Sequence, residues 1–392
     1  MENHITKQQS LKRFQATVAW QNRILSLFGC YMYLGKQQVS YRIVPICFIA
    51  SSYIVLTLYC AVQAWGDMGQ VVLSIVAVFY ALIGVTRLAV AISNPTGCYR
   101  SIQLAEEMYR RANGSHPAEC VVLAKYTDMF CKSVHFYTLC YLLGVTVVAL
   151  MPFGFYLFRG ERFLPLGIVF PFTDNEDSYG YWCTLAIQLG YMLPGTLALV
   201  PSQNIYFAFV FNICLQYDLL IERLKQLDER IREPDSQTED VNSMSIREQL
   251  VEIIQLQQLS ISYITHIEHF YQLQSFVEFI CNSLQATLTL SELHRSFWLP
   301  GFFVFPVAVG QMLILCILGT LIEVKSDHFT DQLYNIAWSE MKLPEQVMFQ
   351  YVLSSAQQSS QLTCGGFADI NMNLFVAIHK KIYSFFMMLQ NM

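Results

Sequence analysis

The chain has 392 residues, of which 54% are hydrophobic and only 14% charged, with a mean hydropathy of +0.37. Soluble domains carry about 25% charged residues, and here the apolar residues fall in blocks longer than the roughly 18 that suggest a membrane crossing, so the chain reads as a polytopic membrane protein. A net charge of −5 and a pI of 5.9 offer no basic face to nucleic acid, and neither GxxxxGK[ST] nor a strand-borne GxGxxG points to nucleotide chemistry.

Residues 1–42 hold six Lys/Arg and one acidic residue, without the compact apolar core and small-residue cleavage site of a secretory signal. The amphipathic stretch 14–34 is expected at the membrane surface or dipping into it as a re-entrant helix. A first span is predicted over 43–65. The second, over 70–92, carries only Arg87, read as snorkelling near its end. Residues 93–133 are polar and contain the turn signal Asn94–Pro95. The third span falls at about 135–158, and a loop rich in aromatic and acidic residues follows. From Tyr181 to Tyr217 there is no charge, which is longer than one crossing needs. The fourth span is therefore expected to kink at Pro194 or Pro201 and to project beyond the bilayer. Helical spacing continues through Leu220, Leu224, Leu227 and Ile231, breaks in EPDSQTEDVNS, and resumes from Ile246. Two helices running out of the membrane and back, over about 218–269, are the predicted result. The fifth span, about 270–291, is interrupted by Gln272, Gln274, Glu278 and Asn282; the sixth, about 297–322, is plain. Residues 323–361 are too polar to cross, with a helix outside the bilayer at 345–361.

The last segment, 362–392, opens on Gly365 and Gly366, which permit a sharp turn, and places Asp369 where a helix start favours negative charge. Lys380 and Lys381 fall mid-helix, where a Lys costs about 2.5–3.5 kcal/mol, so this span is not a passive anchor. Ile370, Leu374, Ala377, Lys381, Ser384, Met388 and Met392 share one stripe at steps of three or four. A small residue, a cation, a hydroxyl and two thioethers suit a water-filled lumen with an apolar constriction. A packed helix whose lysines snorkel is the alternative. Phe375, Ile378, Ile382, Phe386 and Leu389 form a separate bulky surface for lipid or neighbouring helices.

With seven spans, the N-terminus and the loops 93–133, 218–269 and 323–361 lie on one side and carry 18 of the 24 Lys and Arg; the opposite side carries three. The positive-inside rule then puts the N-terminus in the cytosol and the C-terminus outside. Most of the 12 cysteines fall in spans or cytosolic segments, which argues against a disulfide framework. His266, Glu268 and His269 lack the spacing of a metal site, and no cofactor or enzyme constellation emerges.

Residues 313–324 (LILCILGTLIEV), 332–340 (QLYNIAWSE) and LTCGGFADINMNLFVAIHKKIYSFFMMLQ together resemble the signature of insect odorant receptors, specifically over about 309–391. The resemblance implies an all-α membrane protein with seven transmembrane helices and a cytosolic N-terminus. Its divisions would be residues 1–42, the six spans within 43–322, a cytosolic anchor drawn from about 218–269 and 323–361, and a pore-lining seventh helix at 362–392. It further implies the odorant-binding subunit of a heteromeric ligand-gated non-selective cation channel, assembled as a heterotetramer with the shared olfactory co-receptor in the plasma membrane of sensory neuron dendrites. The chain resembles a ligand-tuned member, because the co-receptor has a longer insertion in the cytosolic loop. The family's odorant site would map onto Phe79, Tyr80, Ile83, Thr146, Leu150, Phe153, Tyr191, Met192, Gly195, Phe302 and Phe305, a lining suited to a small, volatile, mostly apolar molecule. Pore and gate would map onto Lys381, Ser384, Met388 and Met392, with Lys381 departing from the small or neutral residue usual there. A G-protein-coupled receptor is disfavoured by orientation and by the missing Asp-Arg-Tyr and Asn-Pro-x-x-Tyr. A transporter would more often show repeat halves.

Overall fold

The structure is a computed structural model that describes residues 2–27, 29, 41–93, 95–111, 117–166, 177–232, 245–295, 298–358 and 361–390. Ten α-helices account for nearly all of it: α1 (Glu2–Leu27), α2 (Ile43–Gln63), α3 (Met68–Ser93), α4 (Pro95–Arg111), α5 (Pro117–Arg159), α6 (Ser178–Arg232), α7 (Ile246–Arg295), α8 (Gly301–Tyr334), α9 (Leu343–Ala356) and α10 (Met372–Gln390), with a short 3₁₀ turn at Trp338–Glu340. The break expected between Arg232 and Ile246 lies largely outside the described residues, as do Asn113 and Met392.

Five helices, α2, α3, α5, α6 and α8, are long and apolar enough to cross a membrane on composition alone. α7 and α10 complete the seven-helix set. α7 carries a line of polar residues and α10 a lysine pair, which dilute their hydropathy, yet both pack among the other spans. Leu139, Leu142, Leu143, Val147 and Leu150 of α5 point outward, as do Val55, Leu58 and Val62 of α2. Such exposure is costly in water and natural against acyl chains.

α5, α6 and α7 have 43, 55 and 50 residues, more than twice the roughly 20 that span a bilayer. Their excess carries the core onward at one end. There Leu220, Leu224, Leu227, Leu250, Ile253 and Val352 are almost wholly buried. Polar stitches tie it together. Asp218 accepts from the Tyr126 hydroxyl at 2.7 Å and from Lys325 Nζ at 2.7 Å, and Arg223 bridges Glu119 at 3.3 Å and Glu252 at 3.1 Å. α1 joins the same end. Phe14 stacks on Tyr109 at 5.1 Å and meets Phe130 at 5.6 Å, so α1 packs against α4 and α5 as well as presenting a polar side.

α4 begins at Pro95, where a missing N–H costs nothing, and α6 continues unbroken through Pro194 and Pro201. Two sequence-based expectations are overturned. Arg87 does not snorkel: it is 6% exposed and faces the bundle interior, where an acidic partner far away in sequence meets it. Asp369 does not start the last helix. Asn371 Oδ1 accepts from the Leu374 N–H at 3.0 Å and caps it instead, so the helix begins at Met372 and Ile370 belongs to the turn before it.

Candidate functional site

Three features stand out: an ion pair in the bundle, a group of aromatics beside it, and the root of α10. Arg87 of α3 donates from Nε to Glu278 Oε1 at 2.7 Å, from Nη1 to the Leu199 carbonyl at 3.1 Å and from Nη2 to Gln203 Oε1 at 2.9 Å. Gln274 Nε2 donates to the same Glu278 oxygen at 2.9 Å. The guanidinium fork thus locks α3, α6 and α7 together, in a place where an unpaired charge is not tolerated.

Beside this network lies a group of tyrosines. Tyr80 of α3 lies within electrostatic reach of Tyr53 of α2 and of Tyr137 and Tyr141 of α5. Tyr53 meets Tyr191 of α6 edge-on at 5.3 Å, and Tyr137 meets Phe207 at 5.4 Å. The Tyr191 hydroxyl lies 3.1 Å from Ser52 Oγ. Aromatic residues of four helices thus line one stretch of the bundle, with Tyr191 and Phe207 sixteen residues apart on α6. Of the sequence-predicted lining residues, Tyr80 and Tyr191 belong to it directly. Ile83 is buried on the same helix as Tyr80, while Phe79, Met192, Gly195 and Phe305 are half-buried. Phe153 packs on Trp182 at 5.8 Å near the other end of α5. Leu150 and Phe302 are more than half exposed, and Thr146, also exposed, spends its hydroxyl on the Leu142 carbonyl. Sequence reasoning missed Tyr53, Tyr137 and Tyr141. The last two stand one helical turn apart, a spacing that puts both rings on one face of α5.

The root of α10 is built from residues 361–371. Gly365 and Gly366 adopt φ of 65° and 77°, a left-handed pair that reverses the chain. The reversal is held by Cys364 N–H to the Ala368 carbonyl at 2.7 Å and Ile370 N–H to the Leu362 carbonyl at 2.9 Å. Glu268 of α7 accepts from the Thr363 N–H at 2.8 Å and from its hydroxyl, so it is engaged structurally rather than poised for a metal. From α8, Thr320 Oγ1 accepts from the Met372 N–H at 2.9 Å. Gly319 leaves only enough room for the Ile370 carbonyl to lie against its backbone.

Beyond this root α10 has two sides. Leu374, Phe375, Ile378 and Ile382 pack into the core. Ala377, Lys380, Lys381, Ser384 and Met388 are exposed on the single chain. Of the expected stripe, Ala377, Lys381, Ser384 and Met388 are exposed on the single chain, whereas Ile370 and Leu374 are packing residues.

A family model described as 7tm Odorant receptor matches residues 67–383. A putative odorant receptor 83c of Drosophila melanogaster is 23% identical over 258 residues, covering 64% of this chain and 65% of the relative. Odorant receptor 10 of Aedes albopictus is 20% identical over 239 residues, covering 60% of this chain and 62% of its own length. The chain thus aligns with a little under two thirds of each relative. Among solved structures, the insect olfactory receptor OR5 of Machilis hrabei superposes with a TM-score of 0.70 at 13% identity, covering 97% of this chain and 98% of that one. Its complex with eugenol gives a TM-score of 0.69 at 13% identity, covering 97% and 99%. At that identity the likeness establishes a shared fold.

Proposed function

The chain belongs to the 7tm odorant receptor family, as a multi-pass membrane protein and not an enzyme, and from that premise we propose that it is the odorant-binding subunit of a heteromeric ligand-gated cation channel. The observation that carries this reading is α10. Its root is clamped by α7 and α8, while Ala377, Lys381, Ser384 and Met388 stay open on the side away from the core. A face of this composition suits a lumen closed by further subunits. In this reading the partner is the olfactory co-receptor in a heterotetramer at the plasma membrane of a sensory dendrite. The chain supplies ligand recognition through the tyrosine cluster with Phe79, Ile83, Met192, Gly195 and Phe305 lining or backing it. A small, mostly apolar odorant would be held there by shape and dispersion, its one polar group within reach of a tyrosine hydroxyl.

Expression with and without the co-receptor, followed by current recording across an odorant panel, tests the assignment. Odorant-evoked cation current is expected only from the pair. Four copies of Lys381 around one lumen would set up a strong positive ring, while one or two copies among neutral partners are tolerable. Robust current from this chain alone would contradict the assignment, as would a G-protein signal without current.

Orientation has a separate test. Asn113-Gly114-Ser115 is the chain's only Asn-x-Ser/Thr sequon not blocked by proline, and it falls between α4 and α5. With the N-terminus and the helical extension in the cytosol it carries no glycan. A glycosidase-sensitive mobility shift abolished by Asn113→Gln would reverse the orientation.

The gate is proposed at Met388, with Met392 one turn further. An apolar ring stops ions by dewetting, and an unbranched thioether moves aside at little cost. In the co-expressed complex, Met388→Cys is expected to react with a charged thiol reagent applied from outside, and faster while odorant is present. Equal rates with and without odorant would remove Met388 from the gate.

A further inference from the structure

Six polar residues of α7 fall on one line. Gln274, Glu278, Asn282, Gln285, Thr289 and Glu292 follow at steps of three or four, so they share a single face of the helix. All six are buried, with Asn282, Gln285 and Thr289 at 0% exposure. The face is turned toward α3, which runs antiparallel to it. Arg87 pairs with Glu278, and eleven residues back along α3 the Val76 carbonyl lies 3.5 Å from Gln285 Nε2. It is not the face that supports α10. Phe276 packs against the Gly365 turn and His294 against Phe386, and these two residues, five full turns apart, lie on the far side of α7 from Glu278.

Protein partners satisfy this line at its Glu278 end, where Arg87 and Gln274 both donate. Further along, both amide atoms of Asn282, Gln285 Oε1 and Thr289 Oγ1 are buried without a hydrogen-bond partner among the described protein atoms. Buried polar groups are rarely left bare, because each then keeps the full cost of leaving water. These four atoms lie on the side of α7 turned toward α3, next to a buried ion pair. The groups are uncharged, and the hydroxyl and the amide each donate and accept. What satisfies them must be neutral, very small and able to do both.

We propose that α3 and α7 enclose a hydrated seam, in which water molecules bound by Asn282, Gln285 and Thr289 line the side of α7 facing α3 and reach toward the Arg87–Glu278 pair. The bare groups span roughly 10 Å along α7 at the helical rise. Four or five waters, each making about three hydrogen bonds, would meet every bare group. The seam serves two ends. It keeps the Arg87–Glu278 pair solvated inside the bundle. It also joins α3, which carries Phe79, Tyr80 and Ile83, to α7, which braces α10, through bonds that re-form as the helices shift. An interlocked apolar contact would resist that movement.

X-ray radiolytic footprinting of the purified full chain tests this, because radicals formed from bound water oxidise the side chains beside it even where bulk solvent is excluded. Cys281 adjoins Asn282 and is 4% exposed, whereas Cys316 of α8 is 0% exposed and serves as the dry reference. In the unsubstituted protein Cys281 is expected to oxidise several-fold faster than Cys316, and a cysteine introduced by Thr289→Cys faster still. Rates at both positions equal to that of Cys316 would overturn the seam. A second measurement does not depend on labelling. Asn282→Leu displaces water from a hydrated seam and lowers the melting temperature; in a dry seam it removes a bare polar group and raises it. A raised melting temperature would equally overturn the proposal.

Discussion

Replacing Glu278 with alanine is expected to destabilise the folded chain by about 3–5 kcal/mol, the range seen when one partner of a buried ion pair is removed. The carboxylate is 2% exposed and accepts from both Arg87 and Gln274. Its loss strands a guanidinium that is only 5% exposed and retains two neutral acceptors, the Leu199 carbonyl and Gln203. Neutral acceptors orient a cation without balancing its charge. The double variant Arg87→Met/Glu278→Met removes both charges and keeps side chains that fill space, so it is expected to recover most of the loss. Thermal melting of the full chain in detergent, as wild type, both single variants and the double, gives the coupling energy directly. A double variant no more stable than the sum of the two single losses would show that the pair is not the tie between α3 and α7.

The sequence carries this fold unevenly, and the reasons are physical. Spans α2, α3, α5, α6 and α8 are legible because lipid demands long uncharged runs, and such runs need no partner to be recognised. The helical spacing of Leu220, Leu224 and Leu227 is legible in the sequence, and all three are almost wholly buried. Arg87 was not legible. Its partner stands 191 residues away, and a lone arginine near a predicted span end looks the same whether it snorkels or pairs. Glu278 and Asn282 weakened the fifth span when read singly; only the opposing helix turns their line into a buried seam. Within the aromatic cluster, Tyr80 and Tyr191 came from family position, but Tyr53 belongs to α2, which that mapping left out. The start of α10 was misplaced by a few residues because Asp369 and Asn371 are both good cap residues, and the hairpin closed by the glycine pair decides between them.

Gly319 sets the position of that hairpin. A Cβ placed there would stand 1.8 Å from the Ile370 carbonyl oxygen and 2.8 Å from its carbon, and neither can yield as a flexible side-chain tip would. Gly319→Ala is therefore expected to push the 361–371 segment off α8. That separates the Thr320 hydroxyl from the Met372 N–H it receives at 2.9 Å. Overpacking of this kind costs about 1–3 kcal/mol or more. The functional loss should be larger than the stability loss, because the displaced residues fix where α10 begins and hence how its exposed stripe is aimed. Gly310 of the same helix supplies the control, as nothing lies within 4 Å of the Cβ position there. Gly310→Ala is expected to be neutral or to stabilise α8 by about 0.5–1 kcal/mol, the usual gain from removing a mid-helix glycine. Surface expression and odorant-evoked current, measured for both variants beside the co-receptor, separate folding from gating. Gly319→Ala should reach the surface in reduced amount and lose most of its current per receptor, while Gly310→Ala keeps both. Equal current per receptor in the two variants would mean that the close contact between α8 and the hairpin does not govern α10.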